Sequence, residues 1–360
     1  MAGPTSARVN FVMPVQINLP VGGYKVVYRY ANGLVERGHK VTVVLPKSLE
    51  PRTGVVGEVK NLVWPRIHLM RNPGGITWFP LDPRVKVIFC SDLREKWLPE
   101  ADFSVATFWR TAPIVNGYSP RMGKKLYLIQ HFETFAGTPE DVTATWKLPL
   151  DKIVIARWLA AFAESLGENY TYIPNGIDFD EFGIDVPIEG RQKRVGMLFH
   201  SDVMKGAWDG INALEVAKER HPDMTAVLYG VQERPWMLPT WIQYVQKATS
   251  PQLREIYNSC SIFLHPSWTE GCPAPPAEAM ACGACVVAAA NDGVLDYLTP
   301  GVTGVTARPK QWQELAERLS DVLGDDSLRT AVAHAGSESI RQYTWKRAVD
   351  SFEQLLLSKG

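Results

Sequence analysis

The most constraining feature of this chain is an alternation that begins at Arg8. "RVNFVMP" is a short apolar run, and a loop ending in Gly22-Gly23 follows it. "YKVVYRYANGLVERG" then places Val27, Ala31, Leu34 and Val35 at helical spacing, with Gly38 as the stop, and "HKVTVVLP" is again strand-like. Strand, glycine turn, helix and strand make a βαβ unit, and such units build parallel sheets. "VKVIFC", "FSVATF", "KLYLIQHF", "KIVIARWLAAFAESLG" and "YTYIPNGID" carry the pattern through the first half. A second series starts near Arg194 with "RVGMLF", "DGINALEVAKERHP", "MTAVLYG", "PQLREIYNSC" and "SIFLHPS". Late helices are expected over "WQELAERLSDVLGD" and "SLRTAVAHAGSESIRQY". A Pro/Gly/Asp-rich join lies around residues 174–190. The expected fold is α/β: two doubly wound domains facing across a cleft, the first over residues 1–180 and the second over 181–343.

The 46% hydrophobic and 21% charged content is that of a globular chain rather than a disordered one. No apolar run has the length needed to cross a bilayer, and the start "MAGPTSARVNFVMP" lacks a signal-peptide core, so a cytoplasmic location is expected. The net charge is zero but unevenly spread: 21 Lys+Arg stand against 16 Asp+Glu through Asp180, and 17 against 22 thereafter. The basic first half leaves room for peripheral contact with the inner face of a membrane, although scattered surface charge explains it as simply. No basic stripe interleaved with aromatics points to nucleic acid. Five cysteines are odd in number and few for this length, so no disulfide framework follows. Cys282 and Cys285 form a C-x-x-C, but they lie where a helix runs into a strand, which suits small buried residues.

The chemistry concentrates in "EGCPAPPAEAMACGACVV", Glu270 to Val287. Pro273, Pro275 and Pro276 exclude a helix interior, which puts Glu270 on a loop after a strand. Pro276 suits a first helical turn, Glu278 would fall in that turn, and Gly283 would end the helix. Ligands of open parallel sheets bind beyond the carboxyl ends of strands, and a helix N-terminus there receives phosphate. Acids beside it make sense as acceptors for hydroxyl groups, so a diphosphate flanked by two polyols, a sugar nucleotide, fits. The plain alternative for Glu278 is a favourable charge at a helix start.

These residues resemble the family 4 retaining glycosyltransferases of the GT-B fold. The family signature stands here as "PSWTEGCPAPPAEAMACG", with "GHKVTVV", "IPNGID" and "KG" in the same order. "KLYLIQHFETF" is similar to a subset that includes bacterial rhamnosyltransferases. The resemblance implies two Rossmann-like domains, an acceptor-side one and a nucleotide-sugar-binding one, with a C-terminal helix over residues 344–360 crossing back to the first. It implies that Glu270 contacts donor-sugar hydroxyls and Glu278 the ribose. Lys205 would neutralise the diphosphate, and the Gly22-Gly23 loop would approach it. Gly271, Cys272, Pro273 and Ala274 would complete the donor loop, and His131 would stand near the reacting sugar and acceptor. His131 read without a ligand is a satisfied histidine at a strand end, and Lys205 an exposed lysine at a helix start.

Two positions depart from the family pattern. His200 stands where an arginine on the diphosphate is usual, and Cys272 and Pro273 replace a phenylalanine and a glycine, removing one backbone donor. Asp178-Phe-Asp180 is formally D-x-D but follows "IPNG" in the join and reads as incidental. No metal or other cofactor is expected, because Lys205 and the helix terminus supply the positive charge. The sequence thus points to a metal-independent transferase with a nucleoside-diphosphate sugar donor and a glycan or lipid-linked acceptor. The rivals are an epimerase or hydrolase of the same fold and a non-catalytic sugar-nucleotide-binding protein.

Overall fold

The computed structural model describes residues 6–50, 55–71 and 75–359. Residues 1–5, at the start of the N-terminal stretch read above, and Gly360 lie outside the described residues. The chain forms two units, residues 1–175 with 345–360, and residues 176–344.

Unit 1 is built on β1 (Arg8–Val12), β2 (Lys40–Pro46), β3 (Lys86–Cys90), β4 (Phe103–Ala106), β5 (Lys124–Ile129), β6 (Asp151–Val154) and β7 (Tyr170–Tyr172). All pair in parallel, in the order β3-β2-β1-β4-β5-β6-β7. Strands covered on both faces read as near-continuous apolar runs, and "VTVVLP" of β2 is buried throughout. Around the sheet lie α1 (Gly22–Glu36), α2 (Val55–Arg71), α3 (Ala112–Asn116), α4 (Pro139–Trp146) and α5 (Arg157–Ser165). The Arg8 backbone N–H donates to Asp102 Oδ2 at 2.7 Å and its guanidinium Nη2 to Oδ1 at 2.8 Å, which pins β1 to the start of β4.

Unit 2 carries β8 (Arg194–Leu198), α6 (Ala207–Arg220), β9 (Thr225–Gly230), β10 (Ile242–Gln246), α7 (Ser250–Ser259), β11 (Ile262–His265), α8 (Ala274–Ala281), β12 (Cys285–Ala289), β13 (Val305–Ala307), α9 (Trp312–Gly324) and α10 (Asp326–Ser339). The parallel order is β10-β9-β8-β11-β12-β13. Alternate residues of one strand feed two cores. Ile262 and Leu264 pack with the α6 and α9 side, and Phe263 with the α7 and α8 side. The last helix, α11 (Trp345–Lys359), packs on α1 in unit 1, where the Phe352 ring lies 4.8 Å from Tyr30 and 5.9 Å from Phe11. Gly33 makes room for it, since a Cβ there would meet Val349 at 2.6 Å.

Three elements differ from the sequence expectation. Gly22 and Gly23 are the first two residues of α1 rather than the end of a loop: Val21 takes the N-cap position, and glycine tolerates helical backbone there despite its entropic cost. α8 begins at Ala274, so both Pro275 and Pro276 occupy its first turn and Glu278 lies in the second. α2 was not expected, since Pro65 interrupts its pattern.

Candidate functional site

In an open parallel sheet the crevice for a ligand forms where the strand order reverses, beyond the carboxyl ends of the strands. In unit 2 that point lies between β8 and β11. The segment leaving β8 makes a 3₁₀ turn over Val203–Lys205, and the segment leaving β11 carries Ser267 to Pro273. They are stitched together. The Trp268 backbone N–H donates to Met204 O at 2.8 Å, its indole to Asp209 Oδ2 at 2.7 Å, and Ser267 Oγ to Lys205 O at 3.4 Å. Gly206 permits this closeness on two counts. Its φ of +58° is left-handed, and a Cβ would stand 2.3 Å from Pro266 O.

The stitching brings Lys205 Nζ to 2.7 Å from Glu270 Oε2. Burial works against the Glu270 charge, but Lys205, His265 and Ser267 outweigh it and hold this carboxyl below the usual glutamate range. His265 is buried beneath the pair; burial drives its pKa down to about 4, Glu270 opposing and Lys205 assisting. It is a neutral imidazole, and Asn291 Nδ2 lies 3.4 Å from its Nε2 while donating to Ser267 O at 2.9 Å. Gly293 lets the Glu270 segment pack closely, since a Cβ there would lie 2.6 Å from Glu270 O. Sequence reasoning gave Lys205 and Glu270 separate tasks and missed that they form one ion pair. It also missed His265, Asn291 and Gly293, which carry no signal apart from their places in the fold.

Glu278 is buried in α8 and accepts a hydrogen bond from Tyr257 Oη at 3.1 Å. Its second-turn place corrects the expected place in the first turn. The α8 N-terminus is also a poorer anion site than expected: Pro275 and Pro276 lack N–H groups, which leaves Ala274 as the one donor of the first three residues. Gly271 and Pro273 are buried, Cys272 is half-buried and Ala274 is exposed. Tyr297 Oη donates to Pro273 O at 2.7 Å, so this loop is braced from below.

His200 lies near Lys205, half-buried, and its Nδ1 accepts the Asp202 N–H at 3.0 Å. Burial and then Lys205 lower its pKa. Both effects favour its neutral form, which makes it a weaker partner for a diphosphate than the arginine usual at this place. Asp178 Oδ1 accepts the N–H groups of Asp180 and Glu181 at 3.1 Å each, so this acid shapes a local turn. Burial pushes the Cys282 and Cys285 thiols up to about 12, the opposite of a reactive pair. Among the described residues no group of three His, Cys, Asp or Glu side chains is placed to hold a metal ion.

In unit 1 the strand order reverses between β1 and β4. α1 begins beyond β1 with Gly22 exposed, no side-chain cap and no acid in its first turn. Gln130 Nε2, at the end of β5, donates to Gly23 O at 3.2 Å, which brings the His131 segment beside Gly22-Gly23. His131 Nδ1 lies 2.9 Å from Phe132 O, and its ring meets Trp158 edge-on at 5.8 Å. Glu133, two residues on, is buried and accepts the Trp109 backbone N–H at 2.7 Å. Burial raises its pKa to about 8, with the Trp109 N–H opposing. Gln130 and Glu133 were not singled out from sequence.

With this geometry in place, likeness to known proteins can be read. Sucrose-phosphate synthase from Thermosynechococcus elongatus aligns with TM-score 0.73 at 16% identity, over 97% of this chain and 98% of that one. HepE of Anabaena, in complex with UDP and glucose, aligns with TM-score 0.73 at 17% identity, over 98% and 100%. These likenesses show the fold: two parallel α/β sheets, the GT-B fold. Residues 185–339 match the family described as glycosyl transferases group 1. Phosphatidyl-myo-inositol mannosyltransferase of Mycobacterium tuberculosis is 24% identical over 366 residues, 94% of this chain and 93% of the relative. These findings do not support the finer likeness to rhamnosyltransferases.

Proposed function

We propose that this glycosyltransferase moves a hexose, with retention, from a nucleoside-diphosphate sugar to a lipid-linked or glycan acceptor. The observation that carries the reading is the Lys205–Glu270 pair at the switch point of unit 2, inside the family segment. In the reaction the bond from the anomeric carbon to the diphosphate oxygen breaks, the acceptor hydroxyl oxygen bonds to that carbon, and the hydroxyl proton leaves with the departing nucleoside diphosphate. Negative charge grows on the diphosphate. Lys205 stabilises it there, and a cation matched to that charge acts mainly in the transition state. Glu270, kept ionised, accepts donor-sugar hydroxyls, and releases Lys205 toward the phosphate as it does so. Glu278 accepts ribose hydroxyls. For His131 and the Gly22-Gly23 end of α1 the family resemblance implies roles toward the acceptor and the diphosphate. The retaining outcome rests on the family resemblance.

A lipid-linked acceptor is favoured by α2. Val59, Leu62, Val63, Ile67 and Met70 are exposed along this helix together with Lys60 and Arg66. Its only acid, Glu58, is engaged by Arg94 and Lys96. An apolar face edged by cations suits the surface of an anionic membrane. No described helix is long and apolar enough to cross one. The full-length relative from Mycobacterium tuberculosis, whose name specifies a phosphatidyl-inositol acceptor, agrees with this reading.

The test is incubation with a panel of sugar nucleotides, with and without lipid and glycan acceptors, followed by mass spectrometry. Product that requires an acceptor supports transfer. An isomer or free sugar formed equally well without one would replace this reading with epimerisation or hydrolysis, and binding without turnover would leave a binding protein. Co-sedimentation with anionic vesicles, lowered by Leu62→Ser with Met70→Ser, tests the surface reading.

A further inference from the structure

Behind Glu278 lies a chain of hydroxyl groups. Tyr229, near the end of β9, and Tyr257, in α7, have their Oη atoms 2.7 Å apart. Tyr257 donates its one proton to Glu278 Oε2 at 3.1 Å, so the proton between the two tyrosines comes from Tyr229. Both phenols are buried, and that burial keeps them protonated far above their ordinary pKa. The Tyr257 ring has little freedom, with Phe263 at 5.5 Å, Phe182 at 5.8 Å and Tyr229 at 5.9 Å.

We infer that Tyr257, backed by Tyr229, is a positioning residue that fixes the Glu278 carboxylate in the orientation from which it accepts the donor's ribose hydroxyls. The inference rests on the reading of Glu278 as the ribose acceptor. A glutamate reaches its ligand through three torsions, and every rotamer it can visit when empty weakens binding of the one that fits. A carboxylate with one oxygen anchored from behind presents one fixed edge to its ligand, which is how a supporting side chain contributes to a site without touching the ligand. Tyr229 completes the support, because the Tyr257 hydroxyl would otherwise be free to rotate its proton away.

Wild type, Tyr257→Phe and the double variant Tyr229→Phe/Tyr257→Phe separate positioning from packing. The double variant matters because Tyr257→Phe alone leaves the Tyr229 hydroxyl buried without its partner, whereas removing both leaves the lost Glu278 hydrogen bond as the main difference from wild type. Calorimetry would compare ribonucleoside diphosphates of all four bases with their 2′,3′-dideoxy forms. The expected result is a wild-type preference for the ribo form of one base. Both folded variants should lose about tenfold of that preference, and their affinity for the dideoxy form should not change. A preference retained in full by the double variant overturns the positioning role and leaves Glu278 as the ribose acceptor. A wild type with no ribo preference for any base overturns the reading of Glu278 itself, and this inference with it.

Discussion

Replacing Glu133 by Gln should change the pH dependence of stability more than stability at any one acidic pH. The carboxyl is 7% exposed and has one backbone donor, Trp109 N–H at 2.7 Å. Its pKa rises from 4.5 to about 8 because burial disfavours the charge. A carboxyl that holds its proton more tightly when folded favours the folded state fully below its unfolded pKa. That contribution is lost as pH climbs through the folded value, and the curve is flat above it. At about 1.4 kcal/mol for each tenfold change in proton affinity, the loss between pH 4 and pH 9 is about 5 kcal/mol. Glutamine carries no charge, and its carbonyl can accept the Trp109 N–H. The variant should therefore lie within about 1 kcal/mol of wild type near pH 4, where both side chains are neutral, and be clearly more stable near pH 9. Urea unfolding followed by tryptophan fluorescence at one-unit steps of pH measures both curves. Parallel curves across the whole range would refute the argument, since Glu133 would then not hold a proton at neutral pH.

Four further outcomes follow from the site in unit 2. Lys205→Ala should lower turnover by roughly 10²–10³-fold in a folded protein, the scale of one lost charge-stabilising donor. Glu270→Gln in the same background should restore part of any lost stability, because the buried carboxylate would otherwise stand unpaired; equal melting of single and double variants would deny the coupling. His200→Arg should raise activity at and above neutral pH and flatten the pH–rate profile, since His200 is neutral there; identical profiles would place His200 off the diphosphate. Gly206→Ala should cost about 2–4 kcal/mol, combining left-handed strain with a clash at Pro266 O, and a normal melting temperature would contradict it.

Much of the fold was legible because parallel strands buried on both faces are written as apolar runs, as in "VTVVLP" and "IFLH". Short or half-exposed elements were not. β10 is edge-like and mixes polar with apolar residues, and Pro65 disguises α2. At the site the spacing of Glu270 and Glu278 and the "KG" at residues 205–206 were readable, since the residue types carry the chemistry. The direction of side chains was not. Whether Lys205 faces phosphate or carboxylate depends on how Trp268 stitches two loops that are distant in sequence. Where Glu278 falls on its helix depends on whether one proline or two enter the first turn. Burial decides the charge of His200, His265 and Glu133, and burial is a property of three elements at once.

The packing of α11 on α1 has a consequence for how the chain can be made. On a ribosome the strands of unit 1 emerge first, yet Tyr30 and Phe11 wait for Phe352, which is fully buried against them in the finished protein. Unit 2 is continuous in sequence and has all its residues before that helix appears. Unit 2 should therefore reach its native state while unit 1 still exposes an apolar groove on α1, and the first domain synthesised would be the last completed. A premature stop just before Trp345 would leave unit 2 intact and make unit 1 the prey of aggregation and proteases.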